Sequence, residues 1–226
     1  MADDGAFLLA IEGGDGAGKA TTAAAVVAAL TARGTRAEVM SFPRYRETVG
    51  GHVLGDFLAG RLPHPLSPRE VAVLYALDRF ESAGAIADAR GRCDVLVFDR
   101  YIASNVAYQC AKVGDEEAEA LATWIVALET GQFALPVPGL SIYLETDVER
   151  ARAMIAQKAT RSYTTRTYDA HEADQTLQRA VRARYAMLAE GALLGRWARI
   201  ATAPDGVMRT PATIAADILA AMDADA

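Results

Sequence analysis

Along this chain of 226 residues, short apolar runs alternate with longer stretches in which apolar positions recur every three or four residues. The short runs are Phe7 to Ile11, Ala37 to Met40, Val95 to Phe98, Leu140 to Leu144 and a segment around Ile200, and each reads as a strand. The longer stretches read as helices over Ala20 to Arg33, Val49 to Leu58, Pro68 to Arg90, Ile102 to Val113, from about Asp147, Ala173 to Leu194 and Pro211 to Met222. Gly34 stands where a left-handed residue closes the first helix, and Pro63, Pro65 and Pro68 punctuate the loop ahead of the third. This alternation predicts an α/β fold with a parallel sheet flanked by helices on both faces. Such sheets bind ligands at the carboxyl ends of their strands, which directs attention to the residues just after Ile11, Met40 and Phe98.

Length bounds the chain to a single domain over residues 1–226. An apolar fraction of 52% excludes a globally disordered chain. The longest clean apolar run is Ala23 to Leu30, too short to span a bilayer, and Met1-Ala2-Asp3-Asp4 carries acid where a signal peptide carries base. The expectation is a cytoplasmic protein with no membrane partner. Cys93 and Cys110 are too far apart for a CxxC pair and read as buried thiols. A net charge of −6 argues against a nucleic-acid partner, since coating phosphates needs a basic surface. Charge is uneven, however: Arg150 to Arg166 holds Arg150, Arg152, Lys158, Arg161 and Arg166 with no acid, so that this segment is +5 and the remainder −11. An island of this kind suits a small anionic ligand.

Gly13-Gly14-Asp15-Gly16-Ala17-Gly18-Lys19 follows the first strand and opens the first helix, matching G-x-x-x-x-G-K up to the last position, where Ala20 replaces Ser or Thr and Thr21 follows. A plain tight turn would not need four glycines and a lysine at this spacing. Glycines let backbone N–H groups wrap phosphate oxygens, the lysine adds a point charge, and the helix directs its positive end at the anion. Ala20 removes the hydroxyl that ligates Mg²⁺ in most such loops. Either Thr21 compensates, or carboxylates such as Asp15 hold the metal, or nucleotide is bound without turnover.

Asp99-Arg100 closes the third strand, putting an acid where a metal-side carboxylate sits and an arginine into the same crevice. A structural salt bridge is the plainer reading, and the location favours function. Phe42, Arg44 and Tyr45 follow the second strand, and Tyr75 and Arg79 lie within a helix. Core aromatics with solvated arginines account for them as well as base stacking and carbonyl recognition do.

Taken together, Ile11-Glu12-Gly13-Gly14-Asp15-Gly16-Ala17-Gly18-Lys19, Phe42-Pro43-Arg44-Tyr45, Ala76-Leu77-Asp78-Arg79 and Asp99-Arg100-Tyr101-Ile102-Ala103-Ser104-Asn105, with Tyr108 after them, resemble the bacterial thymidylate kinase family over about residues 7 to 190. The resemblance implies a P-loop kinase fold with a five-stranded parallel sheet, transfer of the γ-phosphoryl of ATP to dTMP with Mg²⁺, and a homodimer. It implies that Gly13 through Thr21 bind ATP, and that Lys19, Asp15, Arg100 and a lid arginine, Arg161 or Arg166, are catalytic. Position 16 is Gly rather than Arg, which fits the type whose lid, here about residues 150–172, supplies the arginine. It further implies an acceptor site of Phe42, Arg44, Tyr45, Tyr75, Arg79, Asp99, Arg100, Ser104, Asn105 and Tyr108, with Tyr75 stacking on the base, Arg79 reading a thymine carbonyl and Asn105 on the same edge. Metal ligation falls to Asp15 and Glu172. The rival readings are a kinase for another nucleotide or deoxynucleoside, and a regulator that binds nucleotide without catalysis.

Overall fold

The computed structural model describes residues 5–147 and 175–224. Five strands, β1 (Phe7–Glu12), β2 (Ala37–Ser41), β3 (Val95–Asp99), β4 (Leu140–Glu145) and β5 (Trp197–Ala201), form one sheet in the order β2-β3-β1-β4-β5. Every neighbouring pair is parallel. The central strand β1 alternates its side chains between two cores, as the period of two requires. Leu9 and Ile11 join Val26 and Leu30 of α1 (Lys19–Ala32) and Ile218 of the closing helix on one face. Leu8 and Ala10 join Leu96, Phe98, Tyr101 and Ile86 on the other.

Most helix starts are legible locally. In α2 (Val49–Leu58), Gly51 N–H donates to the Thr48 hydroxyl at 2.9 Å. The start of α3 (Pro68–Glu81) is a reciprocal cap between Ser67 and Glu70, with proline at the first helical position. Gly34, at φ = 82°, closes α1 as its position predicted.

The predicted helix over Pro68 to Arg90 is in fact two, α3 and α4 (Ala83–Arg92). The chain turns at Ser82, whose hydroxyl donates to Asp78 O at 2.7 Å. After β3, α5 (Ile102–Cys110) ends three residues before the expected Val113. A helix absent from the sequence expectation, α6 (Asp115–Val126), packs Ala118, Leu121 and Ile125 on Val106 and Cys110 of α5. It runs into a π-helical turn at Ala127–Gln132, where Phe133 N–H reaches back five residues to Leu128 O at 2.9 Å. The helix expected from about Asp147 falls outside the described residues. The next, α7 (Gln175–Glu190), ends before the expected Leu194, because Ala192 and Leu194 take positive φ. The last is α8 (Pro211–Asp223), and both cysteines are buried and free.

Candidate active site

The pairing of β1 with β3 sets Ile11 beside Asp99, so the residues that leave these two strands enter one crevice. Arg100 N–H donates to Ile11 O at 3.1 Å, which ties the two strand ends together. Arg100 sits at φ = 67°, a left-handed conformation costing a non-glycine residue of order 1–3 kcal/mol and common at functional sites.

The loop between β1 and α1 is built for close approach. Gly13 takes φ = 148°, and a Cβ there would lie 2.9 Å from Leu144 O. Gly18, at φ = 82°, hands the chain into α1, whose first residue is Lys19. Lys19 is buried and donates to Gly14 O at 2.7 Å, folding its ammonium back over the loop. Burial, together with the positive charge of Arg100, pulls Lys19 down to about 7.

Asp15 is the hub of the loop. Its carboxylate pairs with Arg100 and accepts from Gln178 Nε2 at 2.6 Å, while its own N–H donates to Gln178 Oε1 at 3.1 Å. Burial alone would raise its pKa, but Arg100 and Lys19 outweigh that and hold it at about 2. Tyr108 completes the cluster, with its ring 5.3 Å from the Arg100 guanidinium carbon and its hydroxyl 3.4 Å from Nη1. Arg182 on α7 donates to Thr146 O at 3.0 Å and to Asp15 O at 3.4 Å. Beneath the loop, Glu12 is fully buried and accepts from Tyr101 N–H at 2.9 Å, Ser104 Oγ at 2.6 Å and the Tyr185 hydroxyl at 3.1 Å. Burial raises its pKa against the lowering effect of those bonds.

The structure thus brings Gly13 through Lys19, Asp15, Arg100 and Tyr108 into one locus, with Asp99 half-buried at its edge. Ala20 and Thr21 lie on the exposed side of α1, and the Thr21 hydroxyl donates to Gly18 O at 2.9 Å.

Three of the residues expected at the acceptor site are held by protein contacts. Phe42 is a core residue, 4% exposed, with its ring centroid 6.1 Å from Phe98 and 5.9 Å from Tyr101, so its face is covered by protein rings rather than open to a base. The Ser104 hydroxyl is committed inward, to Glu12 and to Tyr185 at 2.7 Å. Arg79 is 1% exposed, and its Nε and Nη2 are closed on the Glu129 carboxylate at 2.5 and 2.7 Å, not held out as a free fork. Arg44 pairs with Glu47, while its N–H and the Thr48 hydroxyl are held by the buried Asp78. Tyr45 and Tyr75 are partly exposed. Asn105 is buried, its Nδ2 donating to Ala72 O at 3.0 Å and Glu129 Oε1 at 2.9 Å. Arg161, Arg166 and Glu172 lie outside the described residues, as does the expected lid.

Sequence reasoning missed Gln178, Glu129 and Asp78. Glu129 carried a readable signal, an acid on the apolar face that Leu121, Ile125 and Leu128 define once α6 is recognised. Gln178 carried none, because it reaches Asp15 from 163 residues away.

A parallel α/β sheet with a glycine loop, a buried lysine and an arginine–aspartate pair at adjoining strand ends defines a P-loop phosphotransferase. The family model described as thymidylate kinase matches residues 11–205. The chain is 36% identical over 195 residues to the thymidylate kinase of Mycobacterium tuberculosis (strain ATCC 25618 / H37Rv), covering 84% of this chain and 89% of that protein. It is 38% identical over 190 residues to that of Leifsonia xyli subsp. xyli, covering 81% of each. The solved thymidylate kinase of Candida albicans shares the fold, with TM-score 0.71 and 21% identity over 98% of this chain and 92% of that one. The chain belongs to the thymidylate kinase family and is a nucleotide-binding transferase, a kinase acting on thymidylate.

Proposed function

We propose that this chain moves the γ-phosphoryl group of ATP to the 5′-phosphate of dTMP, giving ADP and dTDP, with Gly13 through Thr21 around the donor. The observation that supports this division of labour most directly is the Asp15–Arg100 pair on the P-loop. It sets a second cation beside Lys19, so charge spreading over the transferring group meets two fixed positive side chains and the loop N–H groups. No covalent intermediate is needed; alignment and charge neutralisation supply the rate.

The donor set fits Mg²⁺. No group of three His, Cys, Asp or Glu side chains is present among the described residues, and Mg²⁺ is commonly held by one or two carboxylates, water and substrate phosphates. Asp15 and Asp99 are the described carboxylates at the strand ends, with Glu172 a further ligand on the family resemblance. When bound, the ion neutralises phosphate charge and aligns donor and acceptor oxygens. Thr21, donating to Gly18 O on the exposed side of α1, leaves the work of the missing hydroxyl at Ala20 to those carboxylates. On the family resemblance Arg100 flanks the acceptor phosphate, Tyr108 crowds the sugar and Tyr75 stacks on the base.

The test is ADP release with Mg-ATP and each of dTMP, dUMP, dCMP, dGMP and AMP. Preferential turnover of dTMP is expected, and silence with all five from protein that binds ATP overturns the reading in favour of a non-catalytic regulator. In the same assay Arg161→Ala or Arg166→Ala lowers kcat with little change in acceptor KM; if neither does, the catalytic arginine is elsewhere. A cytoplasmic homodimer completes the proposal on the family resemblance, and a solution mass near 24.0 kDa instead of twice that value would remove the dimer.

A further inference from the structure

Three elements meet away from the phosphate loop at one fully buried carboxylate. Glu129 is 0% exposed and projects from the π-helical turn at Ala127–Gln132. The turn inserts a five-residue hydrogen bond into the end of α6, so that Leu128 and Glu129, consecutive in sequence, are both buried while Gly131 and Gln132 are exposed. From α3, Arg79 donates through Nε and Nη2, and from α5, Asn105 donates through Nδ2 to the same oxygen, Oε1, that takes Arg79 Nη2.

This geometry decides which way the Asn105 amide points. Nδ2 faces two acceptors, Glu129 Oε1 and Ala72 O, and a flipped amide would set its carbonyl oxygen against both. Oδ1 is therefore held in the opposite direction. It is buried and meets no hydrogen-bond donor among the described residues. A buried acceptor without a donor carries a desolvation cost that an arriving N–H relieves. The base edge of a thymine carries such a group, the imide N3–H, whereas cytosine offers an unprotonated, accepting N3 at the same place. Glu129 also takes two of the five Arg79 N–H donors, one on Nε and one on Nη2, and so fixes the plane of the guanidinium.

We infer that Glu129 is a positioning residue for base specificity: it fixes the Asn105 amide and the Arg79 guanidinium so that the acceptor site presents a carbonyl oxygen to an imide N–H. The inference rests on the proposed dTMP acceptor. Glu129 touches no reacting atom, and its role is to make one amide orientation much more favourable than the other. A neutral or shortened side chain at 129 loosens that choice, weakens thymine recognition and narrows the preference for thymine over cytosine.

The test is steady-state kinetics of Glu129→Gln and Glu129→Asp against dTMP, dCMP and ATP, with a melting temperature for each variant. Glu129→Asp keeps the charge opposite Arg79 and shortens the reach, and it carries the test where Glu129→Gln folds poorly. The expected result for a folded variant is a dTMP KM raised about tenfold or more, kcat within about threefold, an unchanged ATP KM, and a dTMP to dCMP ratio of kcat/KM that falls about tenfold. A lowered melting temperature with dTMP KM and the dTMP to dCMP ratio unchanged makes Glu129 a structural ion-pair partner alone and overturns the inference. The wild-type control separates the two readings. Absence of dTMP turnover in wild type sinks the proposed function, whereas normal wild-type turnover with unshifted variants sinks only the role of Glu129.

Discussion

Lys19→Ala is expected to lower turnover at least about a hundredfold, the loss of about 2.7 kcal/mol that follows removal of one preorganised electrostatic donor. The ammonium lies within the loop, donating to Gly14 O at 2.7 Å, and the P-loop geometry puts arriving phosphate oxygens within its reach. Its ionisation makes the expectation more specific. Burial and the neighbouring Arg100 guanidinium bring Lys19 to about 7, so the form that carries charge is lost as pH rises through about 7. The pH profile of kcat/KM for ATP, which reports the free enzyme, should therefore fall above about pH 7, and this limb should vanish in Lys19→Ala. In the profile of kcat the limb moves to higher pH, because bound phosphate favours the ammonium over the amine. A variant with near-normal turnover would remove Lys19 from the chemistry. A kcat/KM profile for ATP flat to about pH 9 would mean that the ammonium is fully charged before nucleotide arrives.

The chain exposes its fold in sequence more fully than its site. β1 and β3 are solid apolar runs because both faces of a parallel sheet are covered, and that pattern has no competing reading beside a glycine loop. The break between α3 and α4 was not legible: Ser82 ends one helix by donating to Asp78 O, and the nearest glycine, Gly84, lies inside α4 rather than at the turn. The missed helix α6 was legible in its Leu121, Ile125 and Leu128 spacing. With it went Glu129, whose meaning depends on packing against α3 and α5. The P-loop residues come together because the backbone makes that loop, so sequence spacing is nearly its geometry. The contacts that Arg79 and Ser104 make were not legible in that way. A motif gives a residue's place on the chain, whereas the direction of a side chain is set by partners such as Glu129 and Glu12, which lie 50 and 92 residues away.

Asp15→Asn should damage both catalysis and stability, and its pH dependence separates the two. In the wild type the carboxylate is held at about 2 against an ordinary 3.8, since Arg100 and Lys19 outweigh the cost of its burial. A folded-state pKa below the unfolded value stabilises the fold above the unfolded pKa, and that contribution is lost as pH falls through the folded one. The gap corresponds to about 2 kcal/mol at pH 7, of which roughly half is gone by pH 3. Urea midpoints should accordingly place the variant about 2 kcal/mol below wild type at pH 7, with the difference shrinking towards pH 3. A difference that stays constant between the two would mean that Asp15 acts through its shape and hydrogen bonds to Gln178 rather than through charge. Catalysis suffers for a related reason. Without the carboxylate, Lys19 and Arg100 face each other unscreened, and Lys19 loses one of the charges that favours its ammonium. Turnover should fall at least about a hundredfold, and the falling limb of kcat/KM for ATP should move below pH 7. A loss of turnover with the limb unmoved would assign Asp15 to the metal or acceptor alone, whereas movement of the limb shows that the P-loop lysine and the strand-end arginine are balanced by the aspartate between them.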